Sequence, residues 1–362
     1  MFTVYAMNNA LAEMPGIVVK TLTTDAAGPK LAQRLEYSQL AGLYQNQEII
    51  MKRRIAGACV SLGMLWELPA LVRWADVVHL TGIYSFPTLP VLLVCRLLGK
   101  PLVWSPHGAI QDVYEWEGSK RKGLKRIWEM LCNTLISQGK VVMHVISERE
   151  RLPTQARIPK ASAMTVPNGV DIPVSIPERS WLPDGKLRLM YLGRLTPKKG
   201  IENLLYAMAK LDDPSVVLSI YGSGEESYTA SLHDLAAELG LLGKNVFFAG
   251  SVGGERKEQV FYQADVCIVP SHTECFCMVI AEALAHGLPV VASYGTPWAE
   301  VEEKHCGLWV DNSPDSLVQA VIKIRSMALS EMGARGRDWM VQNFSWNVVA
   351  NDMLRLYKKI LQ

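Results

Sequence analysis

The chain lacks several features that would assign it to a membrane, secreted or metal-binding class of protein. No apolar run in its 362 residues reaches the length of a transmembrane helix, and the longest candidates, at residues 91–98 and 280–285, are typical of a protein core. The first residues do not show the basic segment and apolar block of a signal peptide. The seven cysteines include no Cys-x-x-Cys pair, which is typical of reduced thiols in a cytoplasmic protein.

Charge and cysteine spacing narrow the classes of partner further. The formal net charge of +2 gives no reason to expect nucleic acid as a partner. Cys275 and Cys277 flank Phe276, but no histidine or third cysteine stands at a spacing known from zinc sites. We therefore expect no metal site and no cofactor in this chain.

Strand and helix patterns alternate along the whole chain, which is typical of α/β folds with parallel sheets covered by helices. At 362 residues and 49% hydrophobic, the chain can build two domains of ordinary size. Turn-forming residues at 158–183 mark the predicted linker. We predict domains at 1–170 and 171–343, followed by an amphipathic helix within 344–362. We predict strands at residues 17–21, 77–80, 102–105, 141–146, 187–192, 216–221, 246–248, 266–269 and 289–293.

The most informative segment is at residues 265–293, which reads as strand, loop, helix and strand. It carries two carboxylates, Glu274 and Glu282, near the start of the predicted helix and about two turns along it. Eight helical positions span roughly 12 Å, which exceeds the roughly 5–9.5 Å between the paired carboxylates of glycoside hydrolases. The spacing suits a long ligand with hydroxyl groups at both ends and an anionic group at the helix N-terminus.

A second segment, at residues 191–205, places two cations at the entrance of another predicted helix. A strand ends at Gly193, and Pro197 is a favourable first-turn residue. Arg194 and Lys199 stand on either side of that turn. Two cations beside a helix N-terminus can bind a diphosphate. Gly222 lies in a further strand-to-loop turn, which by itself predicts only a tight turn.

The two segments together resemble the family-4 retaining glycosyltransferases, which have the GT-B fold. The first segment is similar to the Glu-x7-Glu motif of that family. The resemblance implies that Glu274 faces the donor sugar as a catalytic residue, that Glu282 holds the nucleotide ribose, and that Arg194 and Lys199 hold the diphosphate. Cys277 stands where the family usually has glycine. The remaining donor-binding residues implied are Gly193, Gly222, Val252, Phe276, Cys277, Met278 and Val279.

The resemblance also implies roles for the first half of the chain. GT-B proteins consist of two doubly wound, Rossmann-like domains that face a cleft, so residues 1–170 would bind the acceptor and 171–343 the nucleotide sugar. The final helix would pack back on the first domain. His107 follows the strand predicted at 102–105, where sites form in α/β sheets, and the resemblance makes it a catalytic candidate. We interpret the Ser147–Glu150 segment as structural in the first place.

A basic stretch lies beside a predicted amphipathic helix at residues 118–131. Five cations fall within residues 120–126, and Leu124, Ile127, Trp128 and Leu131 share one predicted face. The pattern is typical of a basic surface helix, which we favour slightly. A membrane-bound acceptor would favour the alternative, a peripheral contact with anionic lipid headgroups at the inner face of the cell membrane.

With these motifs, the resemblance implies a metal-independent retaining glycosyltransferase of the hexosyl type. It would move a sugar from a nucleoside diphosphate sugar to a glycan or lipid-linked glycan, as in polysaccharide or lipopolysaccharide biosynthesis. The alternatives are an inactive GT-B scaffold or binding subunit, and another GT-B enzyme such as a nucleotide-sugar epimerase or a phosphorylase. The base, the sugar, the acceptor, the linkage and the oligomeric state are not specified by these motifs.

The start of the chain departs from the family pattern. Residues 2–11 already read as an amphipathic helix, since Val4, Met7 and Leu11 recur at helical spacing. The family places a strand and a Gly-rich loop before such a helix. We therefore expect a first domain whose sheet lacks its opening strand and whose remaining strands expose an unpaired edge. We expect this form to be less stable or less active than a form extended upstream.

Overall fold

The structure, a computed structural model, describes residues 2–28, 30–57, 59–110 and 121–362. The chain divides into two compact units. Unit 1 comprises Met1–Gly169 together with Trp346–Gln362, and unit 2 comprises Val170–Ser345. No helix in the described part of the chain combines the length and the apolar character needed to cross a bilayer.

Unit 1 contains parallel strands covered by helices. Its strands are β1 (Lys20–Thr24), β2 (Glu48–Lys52), β3 (Val78–Thr81), β4 (Leu102–Ser105), β5 (Val141–Val145) and β6 (Ser162–Thr165). Its helices are α1 (Phe2–Ala12), α2 (Tyr37–Leu43), α3 (Leu62–Trp74), α4 (Thr88–Leu98), α5 (Lys122–Leu135) and α6 (Glu148–Arg157), and the final helix α14 (Trp346–Leu361) belongs to the same unit.

The strands of unit 1 form two sheets. Strand β1 pairs with β2, while β3, β4, β5 and β6 pair in that order, and every ladder is parallel. No ladder joins β1 to β3 within the described residues. The expectation that this form is less stable or less active than an extended one stays a prediction.

Two sequence predictions for unit 1 need correction, and one strand was missed. The strand predicted at 17–21 lies at Lys20–Thr24, because the sheet pairing with β2 selects a more polar segment than the apolar run before it. Strand β2 was not predicted at all. The predicted linker at 158–183 contains strand β6, whose sequence Ser-Ala-Met-Thr lacks the β-branched apolar run typical of a buried strand.

Alternating side chains divide the core of unit 1 between the two faces of the β3–β6 sheet. Leu102 and Trp104 on β4 point to one face, where helices α3, α4 and α5 pack. Val103, between them, points to the opposite face, as the two-residue period of a strand requires. On that face lie α1 and α14. The buried residues of α14 recur at helical spacing and are Val349, Ala350, Met353 and Leu356.

Unit 2 contains one six-stranded parallel sheet. Its strands are β7 (Leu187–Leu192), β8 (Val216–Tyr221), β9 (Val246–Gly250), β10 (Val266–Val269), β11 (Val290–Ser293) and β12 (Gly307–Val310). Its helices are α7 (Ile201–Leu211), α8 (Glu226–Glu238), α9 (Gly254–Gln263), α10 (Met278–Ala285), α11 (Glu300–Glu303), α12 (Pro314–Arg325) and α13 (Leu329–Asn343). The predictions for β7, β8 and β10 are confirmed at both ends, whereas β12 was not predicted.

The strand order of unit 2 locates a crevice. The order is β12-β11-β10-β7-β8-β9, so the chain leaves β7 toward β8 on one side and later places β10 on the other side. The connections after β7 and β10 therefore run in opposite directions. Open parallel sheets bind ligands at such a switch point, beyond the carboxyl ends of the strands. The loops that follow β7 and β10 are the two motif segments of the sequence.

Candidate active site

The loops after β7 and β10 touch each other at the switch point. The backbone N–H of His272 donates to the carbonyl oxygen of Lys198 at 2.8 Å. Gly200 has a φ of 64°, and a Cβ at this position would lie 2.2 Å from the carbonyl oxygen of Pro270. Only glycine allows both this backbone conformation and this approach. The two motif segments thus form one surface.

A second close approach joins the loop after β7 to the loop after β8. A Cβ on Gly222 would lie 1.8 Å from the carbonyl oxygen of Gly193, and Gly222 has a φ of 147°. Leu195 and Gly224 form an isolated parallel bridge just beyond. The glycines after β8 therefore allow this loop to pack against the backbone on either side of Arg194. The side chain of Arg194 is exposed.

Glu274 lies in the loop after β10 and is held by three partners from three different loops. Its carboxylate forms an ion pair with Lys199 and accepts a hydrogen bond from Ser271 Oγ at 2.8 Å. Its backbone N–H donates to the carbonyl oxygen of Gly295 at 2.8 Å. The side chains of Glu274 and Lys199 are mostly buried. The structure thus brings together one predicted sugar-binding carboxylate and one predicted diphosphate-binding cation.

The helical spacing assumed between Glu274 and Glu282 is wrong. Helix α10 begins at Met278, so Glu274 lies in the loop before it and Glu282 lies in its second turn. The roughly 12 Å that eight helical residues would span does not apply to this pair. The reason is local, because Cys277 adopts the left-handed conformation, with φ 71° and ψ 74°, and this interrupts the helical path.

The N-terminus of α10 faces the same loop. The first N–H groups of any helix have no partner within the helix, and here they belong to Met278 and Val279, which are half-buried. Cys277 precedes them and is buried. Burial and the nearby charge of Glu274 raise the pKa of its thiol well above the usual range, so the thiol stays protonated.

The ring of Phe276 packs in the interior of unit 2. The ring is buried and contacts Trp298 and Phe344, while the carbonyl oxygen of Phe276 accepts a hydrogen bond from the indole N–H of Trp298. A ligand at this loop could therefore reach the backbone around Phe276 but not the ring. These contacts fix the loop that carries Glu274 and Cys277.

Glu282 is paired with a lysine that sequence reasoning missed. Lys257 Nζ on α9 lies 2.6 Å from Glu282 Oε1. Both side chains are partly exposed, so the pair is open to a ligand. Lys257 stands in a run of four charged residues at 255–258, which reads as an ordinary helix surface. Val252, in the loop before α9, is half-buried.

His107 lies in unit 1, after β4, in a conformation that is unusual for a residue with a side chain. Its φ is 49°, and the N–H of the following Gly108 donates to Glu150 Oε1 at 2.6 Å. Glu150 also accepts the N–H of Ile146 at 3.0 Å, and Ser147 caps the start of α6. Glu150 therefore fixes the turn that presents His107, which agrees with the structural interpretation of its segment.

Two further histidines near His107 belong to a buried chain of hydrogen bonds that the sequence did not reveal. Tyr357 OH lies 2.6 Å from His79 Nδ1, and His79 Nε2 lies 2.6 Å from Ser105 Oγ. Ser105 Oγ lies 2.6 Å from His144 Nδ1, and His144 Nε2 lies 2.8 Å from the carbonyl oxygen of Val166. This series of hydrogen bonds crosses strands β3, β4 and β5 and reaches α14.

The direction of each hydrogen bond in this series follows from the last acceptor, the carbonyl oxygen of Val166. A carbonyl oxygen only accepts, so His144 donates from Nε2 and, when neutral, accepts at Nδ1 the hydroxyl proton of Ser105. Ser105 then accepts from His79 Nε2, and Tyr357 donates its phenolic proton to His79 Nδ1. One proton arrangement satisfies all four side chains, and it requires both histidines to be neutral.

The surroundings keep these histidines neutral. Burial lowers the pKa of His144 to about 4 and holds that of His79 well below its usual range, with His144 and His107 adding repulsion to His79. Burial, with repulsion from His144, lowers the pKa of His107 to about 4. At neutral pH His107 is therefore an uncharged group that can both donate and accept a hydrogen bond.

Comparisons with known proteins agree with the motifs. The family description "Glycosyltransferase Family 4" matches residues 3–173, and "Glycosyl transferases group 1" matches residues 175–339. An uncharacterized glycosyltransferase of Methanocaldococcus jannaschii is 35% identical over 187 residues, which are 48% of this chain and 45% of that protein. The D-inositol 3-phosphate glycosyltransferase of Stackebrandtia nassauensis is 32% identical over 247 residues, 61% of this chain and 54% of that protein.

The chain spans about half the length of these curated relatives. Among solved structures, Anabaena HepE in complex with UDP and glucose is similar, with a TM-score of 0.71 and 17% identity over 99% of this chain and 95% of that one. This likeness confirms the predicted two-domain α/β fold of GT-B type. With both family descriptions matching in sequence, the chain belongs to the family-4 glycosyltransferases of GT-B type.

Proposed function

We propose that this protein transfers a sugar, of the hexose type, from a nucleoside diphosphate sugar to a glycan or lipid-linked glycan, with retention of anomeric configuration. The observation that carries the proposal is the pair of lysine-bound carboxylates, Glu274 with Lys199 and Glu282 with Lys257, at the switch point of unit 2. A solved relative in fold, HepE, contains UDP and glucose, which supports a nucleotide sugar as the donor class.

The arrangement assigns a part of the donor to each group. Glu282, on the second turn of α10, would accept hydrogen bonds from the ribose hydroxyls. Glu274 would accept them from the sugar, and the diphosphate would lie between them at the N–H groups of Met278 and Val279. Lys199, already at Glu274, would also reach the phosphate oxygens because an ammonium group donates three hydrogen bonds.

Leaving-group charge would be neutralised without a divalent ion. Arg194, Lys199 and the N-terminus of α10 supply the positive charge that a metal supplies elsewhere. By resemblance to the family, the departing phosphate accepts the proton of the acceptor hydroxyl on the face where the new bond forms. His107 would contribute to this step as a neutral hydrogen-bonding group.

The acceptor and the location follow from the resemblance and from the basic helix. We propose a polysaccharide or lipopolysaccharide precursor as the acceptor, at the inner face of the cell membrane. The predicted membrane contact at residues 120–126 falls partly outside the described residues, since residue 120 belongs to the gap between residues 110 and 121. The described part, at the start of α5, carries Arg121, Lys122, Lys125 and Arg126. The prediction that Trp128 shares the exposed face of this helix is wrong, because its indole N–H donates to the carbonyl oxygen of Ile83 and its ring packs on the core.

Calorimetric titration with nucleoside diphosphates tests the assignment. A panel of bases identifies the nucleotide that binds, and Glu282→Ala should then weaken its binding by about 1–3 kcal/mol, roughly 5- to 150-fold in Kd. Glu274→Ala should leave nucleotide binding near that of the wild type and abolish most transfer. Glu303→Ala, an exposed residue of α11, is the matched control.

The possible outcomes separate this proposal from the alternatives. Nucleotide affinity unchanged in Glu282→Ala would remove the ribose assignment. Tight nucleotide binding by the wild type, with neither transfer nor hydrolysis of any nucleotide sugar, would instead identify a binding subunit. Conversion of the donor without an acceptor into an epimeric sugar nucleotide would identify an epimerase.

A further inference from the structure

A buried histidine lies one helical turn beyond Glu282. His286 follows Glu282 by four residues, at the end of α10, and only 4% of its side chain is exposed. Its ring stacks on Phe261 of α9, with 4.5 Å between the ring centroids. The ring therefore lies between α9 and α10, the two helices that carry Lys257 and Glu282.

Both nitrogens of this ring face oxygen atoms that accept hydrogen bonds. Nδ1 lies 2.6 Å from the carbonyl oxygen of Glu282, and Nε2 is hydrogen-bonded to the carboxylate of Glu258. A carbonyl oxygen and an ionised carboxylate only accept, whereas a neutral imidazole has one donor nitrogen. The two contacts can therefore be made together only when an additional proton lies between His286 and Glu258.

The contacts of the ring join the two members of the proposed ribose site. Glu258 is the neighbour in sequence of Lys257, whose Nζ lies 2.6 Å from Glu282 Oε1. On α10, the ring is bonded to the backbone of Glu282 itself. Loss of the contact between His286 and Glu258 would allow α9 to move relative to α10, and Lys257 would move with it. Glu282 would then meet the nucleotide without its compensating cation.

The surroundings of the ring leave this proton as the one that a change around neutral pH removes. Among the described residues, the charged and titratable groups that face the ring are Glu258 and Tyr262 on α9, Glu282 on α10, Arg179 before β7 and Arg337 on α13. The two arginines donate to the last carbonyl oxygens of α10. Burial lowers the pKa of Arg179 only to about 10, and burial raises the pKa of Tyr262. Neither group changes its charge where histidines ordinarily titrate.

We propose that His286 and Glu258 are positioning residues for nucleotide binding, because the proton between them holds α9 against α10 and so keeps Lys257 at Glu282. Neither residue would touch the ligand. As the pH rises and the proton is lost, the lone pair of Nε2 would face the carboxylate, and the affinity for nucleoside diphosphates would fall. The inference rests on the proposed function, since it takes Glu282 as the ribose-binding group.

Calorimetric titration of the full chain at two pH values provides the test. UDP and GDP are the probes, and the one that binds the wild type more tightly is used throughout. The measured quantity is the ratio of the Kd at pH about 8.5 to the Kd at pH about 5.5, values on either side of the ordinary histidine range. Titration of the nucleotide's own phosphate is the same for every variant, so a comparison of ratios between variants cancels it.

Two substitutions of Glu258 separate the proton from the contact. In Glu258→Gln the amide can donate to Nε2 of a neutral imidazole, so the contact survives without the additional proton. The Kd ratio of the wild type should therefore be at least roughly fivefold larger than that of Glu258→Gln, which corresponds to about 1 kcal/mol. Glu258→Ala has no contact at either pH and should bind roughly fivefold more weakly than the wild type at pH about 5.5.

A control on the same helix excludes a general effect of charge. Glu255→Gln removes the same charge from an exposed position of α9 and should keep the Kd ratio of the wild type. The side chain of Glu258 is 49% exposed, so its variants should fold, and a thermal melt checks this. Equal Kd ratios in the wild type and Glu258→Gln, or the same change in Glu255→Gln as in Glu258→Gln, would overturn the inference.

Hydrogen exchange without nucleotide distinguishes a positioning role from a structural one. Peptides covering α9 should exchange faster in the wild type than in Glu258→Gln at pH about 8.5, and equally at pH about 5.5. This difference without any difference in Kd ratio would leave the contact with a structural role only. Glu282→Ala decides the proposed function separately. Unchanged affinity in that variant would refute the ribose assignment, whereas the expected loss there with equal Kd ratios would refute this inference alone.

Discussion

Acidification should destabilise unit 1 because its buried histidines must stay neutral to keep their hydrogen bonds. An unfolded histidine binds a proton below a pKa of about 6.5, whereas His144 in the folded unit does so only near a pKa of about 4. Between these values the unfolded chain binds more protons, so the free energy of unfolding falls as the pH falls. The loss is complete once the pH passes below the folded pKa.

The magnitude follows from the difference in pKa. Each unit of difference is worth 1.36 kcal/mol, so His144 alone should cost unit 1 about 3 kcal/mol between neutral pH and pH about 4. The pKa of His79 shifts in the same direction, which makes the total larger. The variant His144→Gln keeps a donor for the carbonyl oxygen of Val166 and an acceptor for Ser105, but does not titrate. It should lose roughly 3 kcal/mol of the pH dependence.

Hydrogen exchange read by mass spectrometry measures this effect in each unit separately. Peptides covering β3, β4 and β5 report the opening free energy of unit 1, and peptides covering β7 and β8 serve as an internal reference. His233→Gln in unit 2 is the control for the substitution itself, because its ring stacks on Phe248 outside this chain of hydrogen bonds. An opening free energy in unit 1 that stays constant or rises on acidification, or an unchanged pH slope in His144→Gln, would refute the reasoning.

Two further predictions concern the transfer reaction. Activity should survive excess chelator if, as proposed, Arg194, Lys199 and the N-terminus of α10 neutralise the diphosphate. Complete loss with EDTA and recovery with magnesium or manganese would count against this. His107→Ala should lower turnover at least roughly tenfold, which corresponds to about 1.4 kcal/mol in the barrier, while the Kd of the nucleoside diphosphate stays within about twofold. Unchanged turnover in this variant would leave His107 with a structural role only.

The strands that could be predicted from sequence are those that carry a continuous apolar run. The predicted bounds of β4, β7, β8 and β10 match the structure at both ends. Every residue of β4 and β10 is buried, which explains their mainly apolar sequences, while β7 and β8 are buried at most or at alternate positions. Strands β2 and β6 lie at a sheet edge and are more polar. Only pairing with a distant segment makes them strands, and such pairing leaves no mark on local sequence.

The site divides in the same way between local and distant contributions. The motif residues Glu274, Glu282 and Lys199 could be selected because each lies within a strand-to-helix signature. The partner of Glu282 could not, because Lys257 comes from the preceding helix. Cysteine itself does not predict the left-handed conformation of Cys277, and the one signal for it was that the family usually has glycine at this position. This conformation separates Glu274 from the helix that carries Glu282.

The charges of the site in unit 2 are compatible with the proposed anionic ligand, although the site contains two carboxylates. Glu274 and Glu282 are each paired with a lysine, and Arg194 adds a third cation on the loop after β7. The N-terminus of α10 contributes roughly half a positive charge more. The unliganded site is therefore positive, by one full charge from its side chains and by the helix dipole in addition. A diphosphate that enters it meets attraction, although its sugar and ribose would be held by carboxylates, because each carboxylate is already compensated by its own lysine.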